Sequence, residues 1–303
     1  MTTIAEGKAP FAVDGVASTC YTWYKAFGDL TNTTKTPLFV LHGGPAAGHE
    51  YLLSLHTLSD LVIFYDQLGC GQSTQLPEKS KDQSFWTPKL FCDELTNLIA
   101  HLGLENRRID LLGHSWGGML AVEWASAPSR AGNLRRLVLY GVPASMEGYA
   151  KGLTKVREGL PQEAQEAIRR GLEDEDYSSP EYLDAMGVFS QTHLNLSNPF
   201  PSEEIAPALL HMATSEIHRT MFGPTTFLPT GSLQTWSSIP CLHQIKAATL
   251  LIRGSEEYIQ ESVMQPFFDY IPKIKWITYE NAARFSHIEQ REKFFGQVKH
   301  FLA

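Results

Sequence analysis

The chain has 303 residues, 43% of them apolar, enough for one large α/β domain with a sizeable core or for such a domain carrying an insertion. Its formal net charge is -8, and Lys and Arg are scattered without a basic stripe, which argues for solubility and against nucleic acid as a partner. Residues Met1 to Pro10 hold one Lys and no apolar run, so neither a signal peptide nor a membrane anchor is expected there. Nothing later approaches the ~20 apolar residues of a membrane span. Cys20, Cys70, Cys92 and Cys241 form no C-x-x-C pair, so reduced structural thiols in a cytoplasmic protein are expected. Cys70 lies in the turn Gly69-Cys70-Gly71, but no base accompanies it and a nucleophilic role is not expected.

Along the chain, short apolar runs ending in turns alternate with helical patterns. The runs are Leu38 to Leu41, Leu61 to Tyr65, Ile109 to Leu112, Leu137 to Tyr140, Thr249 to Ile252 and Trp276 to Tyr279. They are apolar on both faces, as strands of a parallel sheet covered on both sides must be. Between the second and third, Leu90, Phe91, Leu95, Leu98, Ile99 and Leu102 form one apolar helical stripe. Such alternation predicts an α/β, doubly wound, mostly parallel sheet. From about Pro143 to Trp236 strand signals nearly vanish, and Pro161 to Leu172 and Pro180 to His193 read as helices. The expected organisation is a first core part at 1–142, an inserted helical cap at 143–237 and a second core part at 238–303. The cap is expected over the C-terminal edge of the sheet, where such folds bind ligands.

Gly113-His114-Ser115-Trp116-Gly117 fits G-x-S-x-G, with a strand pattern before it and the helix pattern Met119 to Ser126 after it. That context predicts a strained turn that exposes Ser115 as a nucleophile at a helix N-terminus, whose dipole favours developing negative charge. A serine hydroxyl needs a base, and the chain order Ser, acid, His of this fold directs the search to late histidines. His287 follows the last strand and is the candidate, whereas His243 precedes the penultimate strand and His300 falls in a C-terminal helix. After Thr249 to Ile252 the chain reads Gly254-Ser255-Glu256-Glu257, so the acid is Glu257 by its spacing from the glycine, with Glu256 as the alternative. The oxyanion-hole donors are expected to be the backbone N–H groups of Trp116 and of Gly44 in His42-Gly43-Gly44-Pro45. No H-E-x-x-H or similar ligand spacing occurs, and Gly69-x-Gly71 lacks the Lys-Ser/Thr of a phosphate loop, so neither metal nor cofactor is expected.

These residues resemble the proline iminopeptidase family of α/β-hydrolases, most closely tricorn-interacting aminopeptidases and L-amino-acid amidases. The likeness is carried by His42-Gly43-Gly44-Pro45, by Tyr65-Asp66-Gln67-Leu68-Gly69-Cys70-Gly71-Gln72-Ser73, by Gly113 to Gly118 and by His218-Arg219-Thr220-Met221-Phe222-Gly223-Pro224. It implies an α/β-hydrolase fold with an inserted helical cap and a triad of Ser115, Glu257 and His287. Four positions depart from the family pattern. Ala46 follows Gly44-Pro45 where the family has Gly, and Glu257 stands for the usual Asp, which requires the loop to recede by about 1.5 Å to keep an imidazole in place. The resemblance also implies glutamates that hold a substrate's α-ammonium, and at those positions this chain has Tyr258 and Thr226.

The expected function is therefore a serine hydrolase cleaving a small amide or ester through an acyl-enzyme, specialised away from free-amine substrates. Thr226, Tyr258 and Trp116 would line its neutral pocket. Two alternatives stand beside it: a proline iminopeptidase or amino-acid amidase, and a non-hydrolytic protein of the same fold. The partner expected is a small molecule, with no nucleic acid and no membrane.

Overall fold

The computed structural model describes residues 4–303, so the first three residues of the N-terminal segment lie outside the described residues. Eight strands form one sheet in the order β1-β2-β4-β3-β5-β6-β7-β8. Six of them match the apolar runs: β3 Leu38–Leu41, β4 Val62–Tyr65, β5 Ile109–His114, β6 Leu134–Tyr140, β7 Ala248–Gly254 and β8 Ile274–Tyr279. These six pair in parallel from β4 through β8. The sequence reading missed β1 Ile4–Phe11 and β2 Cys20–Phe27, which form an antiparallel hairpin at one edge, β2 also running antiparallel to β4. In β1 the residues alternate between exposed and more covered positions, a half-exposed edge pattern without an apolar run.

Two apolar layers flank the sheet because its central strands are buried on both faces. Phe39, Leu41, Ile63 and Leu111 point to one layer with the helices α1 Pro88–His101 and α2 Trp116–Ser126, whereas Val40, Phe64 and Leu112 point to the other with α11 Arg291–Leu302. Helix α1 starts where Pro88 supplies a preset φ and the Thr87 side chain accepts from the Leu90 N–H. A short helix α3 Pro128–Ala131 leads into β6. Between β6 and β7 come α4 Met146–Glu158, α5 Gln162–Glu173, α6 Pro180–His193, α7 Ala206–Thr214 and α8 Glu216–Met221, with no strand among these elements. Helix α9 Glu261–Tyr270 and a single turn, α10 Ser286–Glu289, complete the set. No helix among the described residues is long and apolar enough to cross a membrane.

One core carboxyl carries a consequence for stability. Glu94 of α1 is fully buried and accepts from the Thr22 hydroxyl (2.6 Å) and the Leu68 N–H (3.1 Å). Burial pushes its pKa up to about 8 despite these two donors. A carboxyl raised in the fold contributes stability that is complete at low pH and is lost as pH rises from about 4.5 toward 8. In urea denaturation at pH 5 and pH 8, Glu94→Gln is expected to lose less stability across that interval than the wild type, by roughly 2–4 kcal/mol. Parallel losses in the two proteins would show that Glu94 is ionised in the fold throughout.

Candidate active site

The turn between β5 and α2 holds Ser115 at φ 57° and ψ -122°, a left-handed conformation costing a non-glycine residue about 1–3 kcal/mol. Glycines on both sides make the turn possible. A Cβ on Gly113 would lie 2.3 Å from the Gly117 carbonyl oxygen, and one on Gly117 would lie 2.2 Å from that of Leu41. The neighbouring glycine loop packs on the nucleophile, since a Cβ on Gly43 would stand 3.1 Å from the Ser115 Cβ. Ala46, where the resemblance expects Gly, holds φ 71°, a conformation that glycine adopts without strain.

A chain of hydrogen bonds fixes this loop to the elbow. The Gly43 N–H donates to the Tyr51 hydroxyl (2.8 Å), and Tyr51 bonds His114 Nδ1 (2.7 Å). His114 Nε2 in turn donates to the Arg284 carbonyl (3.3 Å). Burial, together with the nearby Arg284 charge, drives the His114 pKa well below its ordinary value, so this imidazole stays neutral. Among the described residues, the N–H groups of Gly44 and Trp116 have no acceptor within the chain. Both residues line the cavity over Ser115.

The structure does not bring His287 to Ser115. His287 lies in α10, fully buried, with Nε2 donating to the Tyr51 carbonyl (2.9 Å) and Nδ1 bonded to the Tyr140 hydroxyl (3.2 Å). Both ring nitrogens are thus occupied away from Ser115 and Glu257. Burial lowers the His287 pKa to about 4. The position between acid and nucleophile is taken instead by Arg284, three residues earlier. Arg284 Nη1 donates to Glu257 Oε1 at 2.5 Å, and Nη2 donates to the Ser115 hydroxyl oxygen. The sequence expectation of a Ser115–His287–Glu257 relay is corrected here: the loop after β8 presents residue 284 to the nucleophile and turns residue 287 toward Tyr51 and Tyr140.

Of the two glutamates after β7, Glu256 is exposed and bonded to Ser255, whereas Glu257 is fully buried and faces Arg284. Burial raises the Glu257 carboxyl to about 7 against the pull of Arg284, and its Oε2 has no hydrogen-bond partner. Burial opposes the Arg284 charge as well, yet the net shift of its pKa is upward, with the Glu257 carboxylate beside it favouring the charged form. The guanidinium also stacks over the Tyr258 ring at 4.6 Å. Gly141, at φ 60°, makes room for this pair, because a Cβ there would lie 2.6 Å from Glu257 Oε1. The expected loop retreat had an imidazole to preserve; a longer acid meeting a long cation replaces that geometry altogether.

A cavity of about 150 Å³ lies over Ser115. The three expected pocket residues all line it: Trp116, whose indole N–H donates to Gln67 Oε1 (2.7 Å), Thr226 and Tyr258. Helices α6 and α7 contribute Met186, Phe189, Leu209 and Met212 to its walls, and among the described residues no Asp or Glu lines it. Sequence reasoning missed Arg284 because only histidines were considered as bases. Its one signal is a lone cation in the small and apolar stretch Ala282-Ala283-Arg284-Phe285. A larger, open groove of about 1730 Å³ lies at the opposite, N-terminal ends of β6 to β8 and contains none of these residues.

Two clusters resemble metal ligands in composition, His42-Asp66-Cys70 and His49-Glu50-Asp66, each with donor atoms within 4.8 Å of one another. Hydrogen bonding within the chain accounts for their His and Asp members. Asp66 accepts from His49 Nδ1 (2.8 Å) and from the Gln72 N–H (2.9 Å), while His42 Nε2 accepts from the Gln67 N–H (3.1 Å). All four cysteines are free.

Residues 38–297 match the model of the alpha/beta hydrolase family. The chain is 31% identical to a proline iminopeptidase of Lactobacillus crispatus, with 99% of this chain and 98% of that protein covered. Among solved structures, the proline iminopeptidase of Mycobacterium smegmatis superposes with a TM-score of 0.87 at 33% identity, covering 98% of this chain and 97% of that one. The structure of VinJ gives a TM-score of 0.90 at 35% identity, covering 98% of each chain. With the fold, the serine elbow and similarity over nearly the whole length in agreement, this chain belongs to the alpha/beta hydrolase family and, within it, to the proline iminopeptidase group.

Proposed function

We propose that this chain binds a small acyl compound over Ser115 and does not turn it over through a Ser-His-acid relay. Family membership supports a hydrolase in the broad sense. The observation that carries the narrower reading is Arg284, which donates to the Ser115 oxygen from the position a proton acceptor must hold. A guanidinium has five donors and no acceptor and stays protonated in proteins, so it cannot take the proton that Ser115 must release before attack. Its hydrogen bond also occupies a lone pair of the would-be nucleophile. In serine hydrolases generally, loss of a triad member leaves only the ~10³–10⁴-fold acceleration that binding and the oxyanion hole provide.

The same cation bears on the substrate class. An ammonium entering this cavity would meet Arg284 and no free carboxylate, an arrangement costing several kcal/mol for a desolvated charge. This supports specialisation away from free-amine compounds, whether the ligand is held or cleaved. The retained elbow, the free Gly44 and Trp116 N–H groups and the named relatives favour a second reading, slow hydrolysis of a small ester or amide through an acyl-enzyme on Ser115.

Two measurements separate these readings. On aryl esters, and on prolyl and alanyl arylamides with and without N-acylation, the wild type is expected to turn over no faster than Ser115→Ala. Ser115-dependent turnover with an acyl burst would overturn the binding reading, and preference for free-amine arylamides would overturn the specificity. The complementary experiment restores the missing acceptor: Arg284→His combined with Glu257→Asp is expected to raise aryl-ester hydrolysis at least ~100-fold over the wild type, consistent with the usual contribution of a positioned base. A fluorophosphonate probe should then label the double variant rapidly at Ser115 and the wild type slowly.

A further inference from the structure

Arg284 is only 5% exposed, yet it forms part of the cavity lining. Of its five donors, the side-chain bonds above use one on the Glu257 carboxylate and one on the neutral Ser115 hydroxyl. A hydroxyl brings no counter-charge to a desolvated cation, whereas a carboxylate brings one and can accept two guanidinium N–H groups side by side. Beside it, the N–H groups of Gly44 and Trp116 line the same cavity and have no acceptor among the described residues. An oxyanion hole alone stabilises charge that exists only in a transition state. With a permanent guanidinium next to it, the same donors suit a stable anion in the ground state. Much of the remaining wall is apolar, with Met119, Met186, Phe189, Phe222, Leu233 and Ile259, and its other polar side chains among the described residues, such as Ser190, Thr226 and His218, include no carboxylate.

We infer that the ligand of this cavity is a small monocarboxylate with an apolar body, its carboxylate held by Arg284 and the Gly44 and Trp116 N–H groups and its body among the cap-side side chains. The inference rests on the binding reading above and names its ligand class. A cavity of about 150 Å³ is of the size that admits a single benzene-sized ring, which suits a branched short-chain or single-ring carboxylate.

The test uses the whole chain and defined probes. Isovalerate and benzoate, their primary amides and the amines isoamylamine and benzylamine are titrated by calorimetry and by thermal shift. Wild type is expected to bind a carboxylate saturably and to raise its melting temperature, with the matching amide weaker by about 10–100-fold and the amine without effect. Arg284→Gln, checked for folding by circular dichroism, should lose carboxylate binding by a similar factor while keeping that of the amide. The carboxylate–amide comparison on the wild type stands even where the variant does not fold. Equal affinity for carboxylate and amide overturns the carboxylate inference and leaves the binding reading intact. Binding of none of the probes together with Ser115-dependent ester turnover overturns the binding reading itself, and binding of none without turnover overturns this inference.

Discussion

The buried ion pair of Arg284 and Glu257 is the interaction on which the chemistry of this molecule turns. Each member is costly without the other. An uncompensated guanidinium or carboxylate at 5% or 0% exposure costs about 3–5 kcal/mol when its partner is removed, so the two residues depend on each other. Their fit also depends on backbone. Gly141 leaves the space that Glu257 fills, and Gly254 lets the loop carrying Arg284 lie against the end of β7, since a Cβ there would meet the Ala282 carbonyl at 2.1 Å. A pair of this kind is weak support for stability in general, because desolvation offsets most of its attraction. Here its effect is geometric: it fixes a cation in front of Ser115.

What that cation changes is the direction of a proton. Beside a neutral imidazole, the Ser115 hydroxyl would donate, its oxygen would gain charge, and the Gly44 and Trp116 N–H groups would wait for the oxyanion. Beside Arg284, the same oxygen accepts. The strained φ of 57° at Ser115 nonetheless persists, together with the glycines that permit it. Strain at such a turn is retained when the surrounding structure over-determines it. The elbow is braced from both sides by Gly117 against Leu41 and by the Tyr51–His114 bonds, so losing the base does not relax it.

Much of this was legible in the sequence, for physical reasons. Strands buried on both faces must be apolar throughout, so β3 to β8 could be read to within a few residues, and α6 was bounded by the Pro180 that starts it. The β1–β2 hairpin was not legible, because a half-exposed edge strand such as Ile4–Phe11 contains Glu6, Gly7, Lys8 and Pro10 and shows no apolar run. The elbow announced itself because G-x-S-x-G between a strand and a helix has few other uses. Glu257 could be chosen by spacing, since a short loop after β7 leaves few positions able to face inward. His287 could not be judged that way. Position in the chain assigns a residue to a loop but not to the side of the loop that faces the nucleophile, and three residues separate the inward Arg284 from the inward-looking but differently engaged His287.

The pocket extends the same logic from one bond to a surface. The positions where the family resemblance expects ammonium-binding acids hold Thr226 and Tyr258, and Tyr258 stacks on the guanidinium instead of facing a substrate amine. Removing two negative groups and setting a guanidinium beside Ser115 leaves a fixed cation, and no unpaired acid among the described residues, facing a cavity of about 150 Å³. In a space that small and that apolar, little solvent remains to screen a charge, so the sign of the nearest fixed ion dominates which ligand can enter. The Asp-to-Glu departure then has a physical reason of its own: the longer side chain reaches over Gly141 to neutralise, in part, the cation that the pocket has acquired.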